Sequence, residues 1–160
     1  FFFMLMTADE SMPSLVGSEM CIRDRSLGDA RDFLRRATDY ACEREIFGGP
    51  IGRNQGIQFP LARAHAETEA AELMARKAAA LVDAGRPCGA EANMAKLLCG
   101  DAAWHAAEAC MQTFGGFGYA EEYDVERKFR ETRLYRTAPI SNNLILAYLG
   151  QHVLGMPRSY

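Results

Sequence analysis

The sequence predicts an all-α fold, an antiparallel up-down four-helix bundle. Apolar residues recur at three- and four-residue steps through most of the chain, Gly- and Pro-containing turns separate those stretches, and no stretch alternates with period two. Hydrophobic residues make up 49% of the 160 and charged residues 24%, an ordinary globular mix. The net charge is −3, which argues against a nucleic-acid binder. No apolar run is long enough to span a bilayer, and the opening Phe1-Phe2-Phe3-Met4-Leu5-Met6 is short and lacks the basic flank of a signal peptide.

The first 25 residues stand apart. Leu15 to Asp24 reads Leu-Val-Gly-Ser-Glu-Met-Cys-Ile-Arg-Asp. The transposase adapter AGATGTGTATAAGAGACAG encodes Met-Cys-Ile-Arg-Asp in one frame, and the arm before it supplies the preceding five residues. The expectation is that residues 1–25 are a read artefact or an irregular arm and that the domain proper covers residues 26–160. The natural chain is then expected to continue upstream.

The first helix is predicted over Ser26 to Ile46, capped by Ser26 or Asp29, with Phe33, Leu34, Ala37 and Tyr40 at helical spacing. Phe47-Gly48-Gly49-Pro50 ends it. Gln55 to Ala84 is a long second helix. Its seam of Ile57, Leu61, Ala64, Thr68, Ala71, Ala75, Ala78 and Val82 steps by four and three and suits close helix packing. Gly85-Arg86-Pro87 turns the chain. Ala90 to Phe114 is a third helix, with Ala95, Leu98, Ala102, Ala106 and Ala109 as its buried stripe. Gly115-Gly116-Phe117-Gly118 stops it. Glu122 to Tyr135 is a short charged helix, and Ile140 to Gly155 is the last.

The five cysteines (Cys21, Cys42, Cys88, Cys99, Cys110) form no C-x-x-C pair, which fits reduced thiols in the cytoplasm. The three histidines lack the Glu-x-x-His spacing of di-iron bundles, so no metal site is expected.

Four segments are candidates for chemistry. Arg44-Glu45-Ile46-Phe47-Gly48, followed by Gln55, places a guanidinium near a helix end, where it serves either the helix dipole or a phosphate. Gln112 to Tyr119 holds glycines that let backbone approach a ligand or simply stop a helix. Glu126 to Arg133 reads as a solvated face laced by ion pairs, with Arg130 either part of it or a buried anchor. Ala138 to Asn143 reads as a helix start whose exposed donors either cap the helix or meet an anion.

In this order and spacing the four segments resemble the C-terminal domain of the acyl-CoA dehydrogenases. R-x-x-F-G-x-x-I-x-x-x-Q is matched by Arg44, Phe47, Gly48, Ile51 and Gln55. Q-x-x-G-G-x-G-[YF] is matched by Gln112, Gly115, Gly116, Gly118 and Tyr119. E-R-x-x-R-D is matched by Glu126, Arg127 and Arg130, with Glu131 in place of Asp. The resemblance implies a four-helix bundle that follows a helical and a β-domain absent from this chain. It implies FAD bound between domains and across a subunit interface. Arg44, Phe47 and Gln55 would lie on the pyrophosphate and adenosine side, with Gln112, Gly115 and Gly116 holding the same cofactor. It further implies acyl-CoA as substrate, an electron-transfer flavoprotein as electron acceptor, and a homo-oligomer, dimer or tetramer.

One departure stands out. Many members carry Glu-Gly-Thr before the last helix, with the Glu as catalytic base; here the run is Pro139-Ile140-Ser141. Ser141 replaces the Thr that touches FAD, and Asn143 follows it. Pro139 cannot take a proton, so the catalytic residue is unassigned and this fragment is expected to be inactive alone. The alternatives are a relative that lost the dehydrogenase reaction and a non-enzymatic helical interaction module. A fragment is also expected to expose apolar patches where partner domains pack.

Overall fold

The computed structural model describes the backbone of residues 8–158 and the side chains of residues 23–158. Its frame is three long helices: α1 (Ala8–Glu43), α2 (Gln55–Asp83) and α3 (Gly89–Phe114). A short α4 (Val125–Thr132) and α5 (Asn142–Tyr148) follow, α5 running on into a π-turn at Leu149–Val153. Among the described residues there is no strand. The single β-bridge, Glu45 to Pro50, closes a turn. The all-α bundle is as the sequence predicts, with the short α5 and its π-turn packed on α3.

α3 is the central element, packed along its length on α1 and α2. Side-chain pairs set the directions. Arg31 of α1 meets Glu72 of α2, and Lys77 and Glu67 of α2 meet Glu91 and His105 of α3, so each successive helix runs opposite to the last. The interior is built from small residues. Ala30, Ala37, Ala64, Ala71, Ala78, Ala95, Ala102, Ala103, Ala106 and Ala107 are nearly or wholly buried, with Phe33 and Phe114 filling what remains. Alanine at these positions lets helix axes approach closely while keeping helix propensity high. Thr68 and Thr113 are buried without cost in unmet hydrogen bonds, because each hydroxyl donates to the carbonyl four residues back.

The helices differ from expectation at four points. α1 begins at Ala8 rather than Ser26, since extending a formed helix adds one hydrogen bond per residue fixed. It stops at Glu43 rather than Ile46, because the backbone beyond is claimed by a turn: Ile51 N–H donates to Arg44 C=O at 2.8 Å and Ile46 N–H to Gly49 C=O at 3.0 Å. In α3, Leu98 is exposed at 41% and Cys99 takes the buried place. The buried face of α3 is centred on Cys99, Ala106 and Cys110 rather than on Ala95 and Ala102, and Leu98 stands one 100° step from Cys99, at the edge of that face. Val82, at the end of the predicted α2 seam, is exposed as the helix runs out past its neighbours.

Two buried polar knots fasten the shorter elements. Asp29 of α1 accepts from Tyr135 Oη and pairs with Lys128 Nζ at 2.8 Å. Lys96 of α3, 1% exposed, donates to Ile140 C=O and to Asn142 Oδ1 at 3.3 Å. Asn142 in turn donates to Asp101 at 2.9 Å, and Asp101 pairs with Arg136 at 2.9 Å. These bonds tie the start of α5 to α3.

Candidate cofactor-binding end of the bundle

Residues 44–54 leave α1, reverse, and re-enter as α2. The reversal is a tight turn with Phe47 at φ 54° and Gly48 at φ 80°. Glycine takes that conformation freely, but phenylalanine does not. The strain has a visible result: the Phe47 ring is wholly exposed, at 103%. Strained backbone that presents a large apolar ring to solvent is a feature of binding loops, not of core packing. A short 3₁₀ turn, Ile51–Arg53, completes the loop. Asn54 holds it by donating from its side chain to Ile51 C=O at 3.0 Å.

The Gln112–Tyr119 segment lies beside it. α3 ends at Phe114, and Gly115 takes φ 58° and ψ −131°, a region open to glycine alone. The chain continues as a 3₁₀ turn, Gly115–Tyr119. Gly118 is required for space, because a Cβ there would sit 2.6 Å from Met111 Sδ. Gly116 has no such reason. Its φ is not positive, and a Cβ there would have nothing within 4 Å.

An aromatic cluster at the ends of α1 and α3 lies beside the turn, and one cation–π contact joins the two segments. Tyr40 stacks on Phe114 at 4.2 Å, Tyr123 meets Phe114 edge-on at 5.5 Å, and Phe117 lies 5.5 Å from Tyr123. Arg44 completes the cluster with its guanidinium 5.5 Å over the Phe117 ring. Each ring pair contributes about 0.5–1.5 kcal/mol to fastening the ends of α1 and α3, and the exposed cation–π contact of Arg44 adds about 0.5–1 kcal/mol between the turn and the end of α3. The structure therefore brings Arg44 beside the Gly115–Tyr119 segment. Gln55 and Gln112 face outward, and their side chains make no hydrogen bond among the described residues. An open cleft of about 480 Å³, lined by Phe47, Gly49, Pro50, Ile51, Arg53 and Asn54 among others, sits on the outer side of the turn.

Ser141 and Asn143 are elsewhere. Ser141 caps α5, its hydroxyl accepting from Leu144 N–H at 3.4 Å, and Asn143 is exposed in the first turn. The Asn142 bond to Asp101 fixes this segment against the middle of α3. Asp101 to Gln112 is about 16 Å along the helix axis. The two groups thus form the ends of an elongated surface rather than one pocket. The charged segment holds no site: Arg130 is exposed and pairs with Glu126 at 2.7 Å, and Arg127 is clamped by Asp124 and Glu131. That clamp holds the Asp124 carboxyl below its usual range.

Sequence reasoning did not single out Arg53, an exposed side chain lining the cleft beside the turn. It also missed Lys96, for which a lysine among alanines was the available sign. Burial pushes the Cys99 and Cys110 thiols up to about 12, so neither is a nucleophile. Among the described residues no cluster of His, Cys, Asp or Glu is suited to a metal ion, and no helix is long and apolar enough to cross a membrane.

Glycine-opened backbone, outward-facing amides and a strained aromatic turn are thus gathered at one end of an all-α bundle. The family follows from comparison. Residues 12–152 match the model of the acyl-CoA dehydrogenase C-terminal domain, and the chain belongs to that family. It is 43% identical over 137 residues to the acyl-CoA dehydrogenase FadE12 of Mycobacterium tuberculosis, covering 84% of this chain and 35% of the relative. It superposes on the butyryl-CoA dehydrogenase of Megasphaera elsdenii with a TM-score of 0.85 and 33% identity, over 90% of this chain and 38% of the other. A chain solved in work on the electron transferring flavoprotein of Acidaminococcus fermentans gives 0.86 and 31%, again over 90% and 38%. The chain thus spans little more than a third of the length of these proteins.

Proposed function

We propose that this chain is the cofactor-binding and subunit-packing domain of an FAD-dependent acyl-CoA dehydrogenase, which oxidises acyl-CoA thioesters between the α and β carbons. The observation that carries the proposal is Gly116, a glycine with no reason inside the chain, next to Arg44 and the outturned Phe47. A flavin nucleotide fits these residues. Arg44 offers a planar fork to a pyrophosphate oxygen, Phe47 a ring to a flat heterocycle, Gln55 and Gln112 free amides, and Gly115 and Gly116 close backbone approach. Ser141 and Asn143 would meet the cofactor's far end, roughly 16 Å along α3. The flavin, when bound, supplies the hydride acceptor; the residues named here bind and orient it.

Pro139 offers no proton acceptor where many members of the family carry the base. No catalytic residue is therefore assigned to this chain, and the isolated 160 residues are inactive. The same residue favours a second reading, a family member that binds flavin without dehydrogenating acyl-CoA. Anaerobic mixing of the intact protein with acyl-CoA separates the two: flavin bleaching supports the first, and persistent flavin colour with every chain length supports the second. For the domain itself, FAD titrated into the 160-residue chain should lose fluorescence on binding, and Arg44→Gln should weaken that binding about tenfold. Equal binding by R44Q would remove Arg44 from the site.

Subunit packing has its support in the C-terminal segment, where Leu144, Leu146, Val153, Leu154 and Met156 are all exposed. A dimer or tetramer, an electron-transfer flavoprotein as acceptor, and a cytoplasmic location complete the proposal. Free Cys42, Cys88, Cys99 and Cys110 agree with the last. The adapter reading of residues 14–25, and with it a domain of residues 26–160, rests on the codon match. Sequencing the source locus from an adapter-free library tests it, and finding those codons in the genome would end it.

A further inference from the structure

We infer that Lys96 is a positioning residue for the cofactor: from within α3 it sets where Ser141 stands. This rests on the reading of Ser141 as a flavin contact, and adds to it a residue outside the motifs that carry the family resemblance. Lys96 is buried, and taking an ammonium out of water is costly unless hydrogen bonds are made in return. Two of its hydrogen bonds go to one short stretch. Nζ donates to Ile140 C=O and, at 3.3 Å, to Asn142 Oδ1. Those two residues are the immediate neighbours of Ser141. The buried charge thus serves a stretch at the surface: Pro139 and Asn143 are exposed, and Ile140, Ser141 and Asn142 are half-buried.

One anchor fixes a distance, and two fix an orientation. The second anchor is Asp101, about 7.5 Å further along α3. It accepts from Asn142 Nδ2 at 2.9 Å and pairs with Arg136 at 2.9 Å. Arg136 and Asn142 bracket the stretch, and the Ile140 carbonyl is held between them. Gly100, next to Asp101, lets this backbone come down onto α3: a Cβ there would sit 3.2 Å from the Tyr135 carbonyl oxygen. The Ser141 hydroxyl oxygen accepts from Leu144 N–H at 3.4 Å, which leaves the proton of the same hydroxyl to donate. A donor carried on backbone that is pinned on both sides is presented in one place, which is what a binding group needs from its supporting residues.

The test is a double-mutant cycle on the intact protein, stripped of flavin and titrated with FAD below the unfolding transition of each variant. Lys96→Met and Ser141→Ala are each expected to weaken FAD binding, by about tenfold and about fivefold, and the double variant to bind no more weakly than Lys96→Met alone. Asp29→Ala, which breaks the other buried knot, is expected to leave FAD affinity within about twofold. Parental affinity in Lys96→Met, losses that multiply in the double variant, or an equal loss in Asp29→Ala overturns the inference; the last would make the effect one of fold stability. Asn142→Ala removes one arm of the anchor with less disturbance, and is expected to weaken FAD about threefold. If Lys96→Met does not fold, parental affinity in Asn142→Ala overturns the inference instead. Two further readouts separate it from the wider reading. FAD binding that depends on Arg44 but not on Lys96 keeps the flavin site and removes the role of Lys96. A protein that binds no FAD ends the flavin reading, and Lys96 is then judged by amide exchange across Leu144 to Leu146: faster exchange in Lys96→Met keeps its hold on the segment, and parental rates end that as well.

Discussion

The two polar regions of the bundle are built on opposite terms. Where α5 meets α3, the side chains of Lys96, Asp101, Arg136 and Asn142 bond one another, and the buried ammonium of Lys96 also holds the Ile140 carbonyl. Around Arg44, Gln55, Gln112 and Gly116 the polar groups face solvent, the backbone is strained at Phe47, and a glycine sits in open space. A polar group satisfied inside the chain is holding the fold; one facing solvent is free to meet another molecule and costs the fold little when removed. The contrast separates residues that a motif match alone treats alike, such as Asn142 and Asn143, neighbours of which the first is bonded inward and the second is exposed.

The largest effect expected on stability comes from the inward kind. Asp29→Ala leaves Lys128 Nζ and the buried Tyr135 hydroxyl without their shared acceptor, and should cost about 3 kcal/mol, read as a lower urea midpoint. Burial and Asp29 together raise the Tyr135 hydroxyl above its usual range, so its ultraviolet titration should move back toward the ordinary value in the same variant. Lys96→Met keeps the stem and removes the ammonium. It should cost about 2 kcal/mol and speed amide exchange across Leu144 to Leu146. The comparison breaks if Gln112→Ala, on the outward side, destabilises the chain as much as either; its expected cost is within about 0.5 kcal/mol.

Thiol chemistry sharpens the picture of the core between these regions. Cys99 and Cys110 are buried and titrate at about 12 in the folded chain, against 9 when exposed. Their folded values are raised, so their contribution to stability is complete below pH 9 and is lost as pH climbs from 9 toward 12. The unfolding midpoint should fall across that window. At neutral pH a thiol reagent should label Cys42 at once and Cys88, Cys99 and Cys110 only on unfolding; immediate labelling of Cys99 would mean an open core.

Most of the fold was legible because alanine and leucine at steps of three and four leave one geometric solution. Leu61, Ala64, Thr68, Ala71 and Ala78 line the seam as the spacing predicts. What was not legible depends on contacts between distant segments. Nothing local says that residues 44–46 leave the helix, because the pull comes from hydrogen bonds to Gly49 and Ile51 across the turn. Leu98 reads as core by hydrophobicity and is displaced by Cys99 through helix phase alone. At the candidate site the motif positions were visible, but the outward ring of Phe47, the pairing of Arg44 with Phe117 and the place of Arg53 were not. Each of these is a consequence of how the 44–54 turn seats on the end of α3.

The smallest expected change in stability is the one that decides most. Gly116 and Gly118 lie two residues apart in one 3₁₀ turn and differ only in surroundings. Gly118→Ala drives a methyl against Met111 and should cost about 1 kcal/mol. Gly116→Ala meets nothing and removes backbone freedom from the unfolded chain, so stability should hold or rise by up to about 0.5 kcal/mol. If that glycine is small for the sake of a bound cofactor, the same methyl should weaken FAD binding about tenfold in the fluorescence titration. A variant at least as stable as the parent that binds FAD poorly would place the ligand against residue 116. A variant that binds FAD as the parent does would show that open space at Gly116 serves nothing, and that the outward-facing end must be argued from Arg44 and Phe47 alone.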